Sequence, residues 1–291
     1  MRQKFLRLIR FITTLLRFII FNKKAPRNLI DQIKLIKLLR YFTTNKLAHL
    51  RVNVYHLTGY LSCSFNNNEK LQALFYHYKY LKTTFNLNQL KQLFNDGIEC
   101  YAEDTENDKY AIVLTGSSKL EFEGSLSLFL KMNGVKIAVL SFTIVPGALF
   151  GLEDEKVGYI TCLQRIGQHK AGIHIAIKHF KDIIPSFILM HSFEAILSVL
   201  KIDTCVGVSY TNQISAMRSV NNESYYSFYD EHWMNYGGVY KDGNYIIPTP
   251  LAQKPLLAIK QTHRNRTVKK RNKLKEIYNE SFSKMNDFVN K

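Results

Sequence analysis

The sequence predicts an α+β fold, with helices first and a mixed sheet after them. Three observations predict it. Apolar residues recur at helical spacing up to about Thr84, and from Gly97 the hydrophobic period switches to two. The third is the stretch Lys156–Tyr210, which reads strand, glycine-bearing loop, two helical runs and strand. That order is the pattern of a parallel pair joined by a helical crossover.

Taken in order, Met1–Phe21 places Gln3, Arg7, Arg10, Thr14 and Arg17 on one polar stripe of a helix, with Phe5, Leu8, Ile12 and Leu16 on the apolar remainder. The arginines interrupt every long apolar run, so neither a signal peptide nor a span of about 20 apolar residues is predicted. Such a basic amphipathic helix lies in a membrane interface or packs its wide apolar face on the domain. Pro26 ends it, and Leu29–Phe42 predicts a second basic helix. Asn66 with Glu69 three residues on forms a capping box opening a helix to about Thr84. Its aromatic set Phe75, Tyr76, Tyr78 and Tyr80 reads as packing, and His77 as a structural histidine.

Tyr110–Leu114 reads as a strand, and Leu120–Met132 as a long one in which Glu121 and Glu123 share a face. Asn133-Gly134 is a hairpin turn leading into the strand Val135–Val145. Val157–Leu163 reads as a buried strand, and Ile173–Phe180 and Phe187–Leu200 as helices around Pro185. Thr204–Tyr210 reads as the returning strand. The aromatic run Tyr225–Trp233 reads as a packed corner, Asp242-Gly243 as a second hairpin turn, and 260–275 as a basic helix or tail. The expected organisation is a basic helical region over 1–95, an α/β core over 96–259 and a basic end over 260–291.

The net charge is +17, and its placement says more than its size. Residues 1–51 carry 13 Lys/Arg against one acid, and residues 260–291 carry 10 against three. The body between them carries 17 against 19. Basic ends on a near-neutral body predict an anionic partner: a membrane surface or a lipopolysaccharide-related component. The 260–275 run lacks interleaved aromatics, so nucleic-acid stacking is not suggested. Four dispersed cysteines form neither a disulfide framework nor a zinc spacing, which predicts a reducing, cytoplasmic setting and no metal.

The loop after Leu163 carries the chemistry that the sequence offers. Gln164, Arg165, Gly167, Lys170 and Gly172 resemble the Gln/Arg-x-x-Gly-x-Gly/Ala loop with which GNAT-type acyltransferases hold the pyrophosphate of acyl-CoA at a helix N-terminus. The order of hairpin, strand, loop, helix and strand is also GNAT-like. His169 stands where that pattern has Gly or Ala, and a tight structural loop is the alternative reading. By topology Glu121, Glu123, His169 and Tyr210 are available for acid–base work, with no spacing that selects one. Hydrolase, P-loop, zincin and Rossmann motifs are absent.

Several stretches together resemble the VirK/YbjX family of Gram-negative bacteria. They are Glu69–Tyr78, Phe122–Leu128, Leu140–Thr143, Gly158 with Leu163-Gln164, Gly207–Ser209, and Tyr229–Trp233 with Gly237-Gly238. The chain departs from the family pattern at Arg165 and Tyr210. The resemblance implies an accessory protein acting on the envelope from the cytoplasmic side, associated with virulence, placement of an outer-membrane protein and resistance to antimicrobial peptides. An envelope protein is then a possible partner. The family has no assigned reaction, so the resemblance carries over no catalytic residue.

Overall fold

The computed structural model describes residues 34, 37, 42, 59–117, 123–166, 170–217 and 223–290. The predicted helix over 1–21 lies outside the described residues. Of the predicted helix Leu29–Phe42, only Lys34, Lys37 and Phe42 lie inside them. Phe42 is buried edge-on against Tyr78 and Phe94, with ring centroids 5.0 and 5.2 Å away.

Helices α1 (Asn67–Thr84) and α2 (Leu87–Asn95) precede strands β1 (Ile98–Asp104), β2 (Lys109–Gly116), β3 (Leu126–Met132), β4 (Val135–Val145) and β5 (Val157–Arg165). Then come α3 (Lys170–His179), α4 (Pro185–Val199), β6 (Thr204–Val208), α5 (Ile214–Met217) and α6 (Glu223–Asn235). Strands β7 (Val239–Lys241) and β8 (Asn244–Pro248) and the long helix α7 (Gln261–Val289) complete the chain. The fold is α+β. Among the described residues eight strands form one sheet in the order β1-β2-β3-β4-β5-β6-β8-β7, and of their pairings only that of β5 with β6 is parallel.

Local chemistry explains most of these boundaries. Asn66 and Asn86 each close a capping box at the start of their helix, with Glu69 and Gln89 as the reciprocal partners. Asn133 and Gly134 adopt φ of 50° and 78°, the left-handed pair of a type I′ turn, and set the β3–β4 register from Met132↔Val135 onward. Asp242 and Gly243 do the same for β7 and β8. The strand expected from Leu120 begins only at Leu126. Gly124 takes φ of 150°, and a Cβ there would sit 2.8 Å from the Phe142 amide nitrogen, so a tertiary approach ends the extended run. Glu123 therefore stands on a turn, not on a strand face, and Glu121 lies outside the described residues.

The core runs through both faces of the central strands. Nine consecutive residues, Ile137–Val145, are buried; because side chains alternate, this requires cover on both sides. Helix α4 supplies much of it, with Phe193 edge-on to Phe142 at 4.8 Å. His77 is fully enclosed, and its Nδ1 accepts the Ile144 N–H at 3.1 Å while its Nε2 meets no partner.

The outer strand β1 is covered by α7. The Ala102 N–H donates to Glu280 at 3.1 Å, and Lys284 and Lys273 pair with Glu99 and Glu103 at 3.3 and 2.9 Å. Burial alone would raise the Glu103 carboxyl. Donors Tyr101, Lys273 and His179 instead hold it down to about 2. Charging and covering an edge in this way blocks pairing with a second chain.

Burial holds the imidazole of His77 down to about 3 and that of His232 down to about 4. Both groups are neutral when folded, while the unfolded chain takes up protons below about 6.5. Their contribution is therefore complete above pH 6.5 and is lost as pH falls towards those folded values, at up to about 1.4 kcal/mol per pH unit for each histidine. Between pH 6.5 and 5 the free energy of urea unfolding should fall with that steepness. In His77→Asn, whose Oδ1 can still accept the Ile144 amide, the slope should lose about one proton; an unchanged slope would refute the assignment.

Candidate functional site

Strands β5 and β6 run together only at Gly158↔Cys205, Tyr159↔Val206 and Ile160↔Gly207, and then part. Ligands of open α/β sheets bind at such carboxyl ends of parallel strands. Here the parting exposes β5 backbone groups on the side away from β4, and side chains from two directions meet them. The Leu163 N–H donates to the hydroxyl of Tyr229 on α6 at 3.2 Å, and the Thr161 carbonyl accepts from Gln213 Nε2 at 3.4 Å. Burial raises the Tyr229 phenol well above its ordinary value, so it stays protonated.

Two carboxylates border this crevice. Oε1 of Glu123 accepts from Gln213 Nε2 at 2.7 Å, from the Ser215 N–H at 3.0 Å and from the Ser215 hydroxyl, while the Glu123 carbonyl accepts the Thr161 hydroxyl. Asp230 is buried; it accepts the Tyr210 N–H at 2.8 Å and the Ser209 hydroxyl at 3.0 Å. Burial raises its carboxyl pKa, against those two donors. Both acids thus pin the segment that follows β6 onto the turn before β3 and onto α6. They act as anchors of the crevice wall.

The helix α6 is positioned by Gly207. A Cβ at that residue would meet the Trp233 ring at 2.6 Å, and the indole N–H donates to the Val208 carbonyl at 2.8 Å. Tyr229 and Trp233 are fully buried, so the end of the aromatic run that they form is a packed corner as expected.

The predicted phosphate-loop residues fall as follows. Gln164 is half-buried and its Nε2 lies 3.4 Å from the Tyr229 hydroxyl. Arg165, the last residue of β5, is exposed. Lys170 opens α3, and Gly172 lies in its first turn, where a Cβ would make only ordinary contact with Met132 at 3.5 Å. Gly167 and His169 lie outside the described residues. Of the acid–base candidates, Glu123 is at the crevice, while Tyr210 contributes its backbone amide there. Gln213, Ser215 and Asp230 were not singled out from sequence as crevice residues. Their partners lie 20 to 92 residues away, so no local spacing reveals them.

A second feature is the head of α7. Its C-terminal half buries Leu274, Ile277, Ser281, Met285 and Phe288 at steps of three and four. The preceding turns bury none of their residues and hold Arg264, Arg266, Lys269, Lys270 and Arg271. Just before them, the turn Leu256–Ala258 presents Leu256 and Leu257, 38% and 85% exposed. Arg264 fixes this turn by donating to the carbonyls of Ile259 and Leu257 at 3.0 and 3.3 Å. Among the described residues no helix is long and apolar enough to cross a membrane, and no cluster of metal-ligating side chains occurs.

A family model described as a protein of unknown function, DUF535, matches residues 4–284. The chain belongs to this family, VirK/YbjX. No curated protein and no solved structure matches it. The family match spans the parted strands, the aromatic corner and the head of α7, so each is part of a VirK/YbjX chain rather than an appendage to one.

Replacing Tyr229 by Phe leaves the buried Leu163 N–H without its acceptor. The change should cost about 1–3 kcal/mol. The single tryptophan, Trp233, lies one helical turn on and reports unfolding by its fluorescence. A denaturation midpoint equal to the parent's would show that the hydroxyl does not close the crevice.

Proposed function

We propose that this protein is a peripheral accessory protein of the Gram-negative envelope, working on the cytoplasmic side and held to an anionic membrane by its basic ends. Its envelope role, in virulence, surface-protein placement and resistance to antimicrobial peptides, is that implied by the VirK/YbjX family. The observation that supports it best is the head of α7, where the exposed Leu256 and Leu257 stand beside a run of cations on a body whose own charge is near neutral. Apolar side chains that enter the headgroup boundary gain burial there, and each cation near an anionic surface adds about 1 kcal/mol. The amphipathic sequence Met1–Phe21 supplies a second basic element at the other end of the chain.

Flotation with vesicles checks this. Binding should be strong with phosphatidylglycerol and weak with phosphatidylcholine, and should weaken as salt rises. Leu257→Asp and, separately, Lys260→Gln with Lys269→Gln should each weaken it by about tenfold. Equal binding to both lipids, insensitive to salt and to these changes, would refute the reading.

A second reading is an acyl-CoA-dependent, GNAT-like acyltransferase that modifies an envelope component. It draws on the parting of β5 and β6, with Gln164, Arg165, Gly167, Lys170 and Gly172 as the phosphate loop. It expects acetyl- or long-chain acyl-CoA to raise the melting temperature saturably, and Gly167→Asp to remove the effect by charge repulsion. Unshifted melting with both ligands would exclude it.

A further inference from the structure

Between α4 and α7, under the basic turns at the head of α7, lies a cleft of about 450 Å³. That volume falls in the range of small-molecule sites, about 300–1,000 Å³. Its wall is apolar, formed by Ile183, Ile184, Phe187 and Leu274, while Lys254, Lys270 and Arg271 stand along it. The hydrogen bonds of Lys270 and Arg271 go to backbone carbonyls. Lys270 donates to that of Asp182 at 2.7 Å, and Arg271 to that of Lys254. A carbonyl satisfies a donor without cancelling its charge. The acid in the lining, Asp182, is itself paired with Arg266 at 2.8 Å. The cleft therefore joins an apolar wall to three cations, against one lining carboxylate, Asp182, that Arg266 already pairs.

Its surroundings give the ligand an orientation. Arg271 also borders an adjoining cleft of about 290 Å³, whose lining includes Glu194, Asn272, Lys275 and Tyr278. There Glu194 is already engaged, by His191 Nδ1 at 3.1 Å and by the Leu251 N–H at 2.7 Å. A polar head fits on the Arg271 side and a hydrocarbon chain on the Phe187 side. Lys254 lies two residues before Leu256, so the charged end of the cleft adjoins the exposed leucines at the head of α7.

We propose that this cleft binds one phosphate-bearing, single-chain lipid, with its acyl chain along Ile183, Ile184 and Phe187 and its phosphate on Lys254, Lys270 and Arg271. The inference rests on the peripheral-membrane reading for the source of the lipid, and names the ligand class and the place it occupies. Membrane docking brings the mouth of the cleft to the bilayer, and burial of the chain offsets the loss of its lipid neighbours. Burial lowers the Lys270 pKa and the neighbouring Arg266 lowers it further, whereas a phosphate beside the ammonium would raise it.

The test uses the full chain and a monomeric lysophosphatidic acid kept below its micelle concentration, with binding read by titration calorimetry. One-to-one binding is expected, with lysophosphatidylcholine and glycerol phosphate each binding about tenfold more weakly or worse. Lys270→Gln with Arg271→Gln, both at sites that are not fully buried, should weaken lysophosphatidic acid by about tenfold or more. Ile184→Glu, at a half-buried position, should do the same while leaving circular dichroism unchanged. If Ile184→Glu unfolds the chain, the double glutamine variant decides the matter alone. Glycerol phosphate binding as tightly as the lipid would mean an anion site without a chain pocket and would overturn the proposal. So would lipid binding that ignores both variants. Flotation run in parallel separates the two readings: Leu257→Asp should weaken recruitment to vesicles by about tenfold yet leave lysophosphatidic acid binding intact. Intact recruitment without lysolipid binding would sink the cleft alone, and lysolipid binding without recruitment would sink the membrane reading alone.

Discussion

Beyond Ile160, β5 has no strand beside it on its β6 side among the described residues, and a buried amide cannot be left without a partner at less than about 1–3 kcal/mol each. Much of the architecture at this end of the sheet follows from that requirement. Tyr229 must reach the Leu163 N–H, so α6 must lie across the gap. For α6 to lie there, residue 207 must be small enough to admit the Trp233 ring. The segment after β6 must fold back for Gln213 to meet the Thr161 carbonyl, and Glu123 and Asp230 hold it there through five donors. The same parting that opens a ligand position in other α/β sheets is here lined by the protein's own side chains.

The charge of the chain is partitioned by a similar economy of roles. In α7 the apolar residues at steps of three and four tie its C-terminal half to α4 and β1, where Ser192 meets Ser281 at 2.8 Å. Lys273 and Lys284 are consumed by Glu103, Glu276, Glu99 and Glu280 along that interface. The cations before Lys273 have a different fate. Arg264, Lys270 and Arg271 bond to carbonyl oxygens, and Arg266 pairs with Asp182. One helix thus contains a half anchored by the ion pairs of Lys273 and Lys284, and a head in which Arg264, Lys270 and Arg271 keep their charge while bonded to carbonyls.

How much of this was legible in the sequence depended on whether the cause was local. The capping box at Asn66 and the hairpin at Asn133-Gly134 were readable because a side chain three residues away, or a left-handed turn, determines them. Pro185 marked the start of α4 for the same reason. The start of β3 was not readable. The alternation of Phe122, Leu126 and Leu128 with polar residues continues through Gly124, and only the approach of Phe142 breaks the strand there. The basic composition of 260–275 pointed to an anionic partner, but the exposure of Leu257 and the cleft beneath α7 depend on where the buried half of the helix is anchored, which composition does not encode. The crevice acids were invisible as a set, since Glu123 finds Ser215 across 92 residues.

A basic surface alone would be an electrostatic landing site, sensitive to salt and indifferent to what lies beneath it. What changes the argument is that the apolar wall of Ile183, Ile184 and Phe187 belongs to the same structural unit as the cations. Lys270 and Arg271 sit on the turn of α7 just before Leu274, which closes the cleft, and Leu274 is also the first residue of the anchoring stripe. The position of the charges is therefore fixed by the packing of the core rather than by flexible side chains. Fixed charge beside a fixed apolar wall discriminates between ligands in a way that diffuse charge does not, because each half of an amphiphile must find its place at once. On this reasoning the affinity for the surface and the selectivity for what enters from it reside in different residues around the head of α7, and they are separable by mutation.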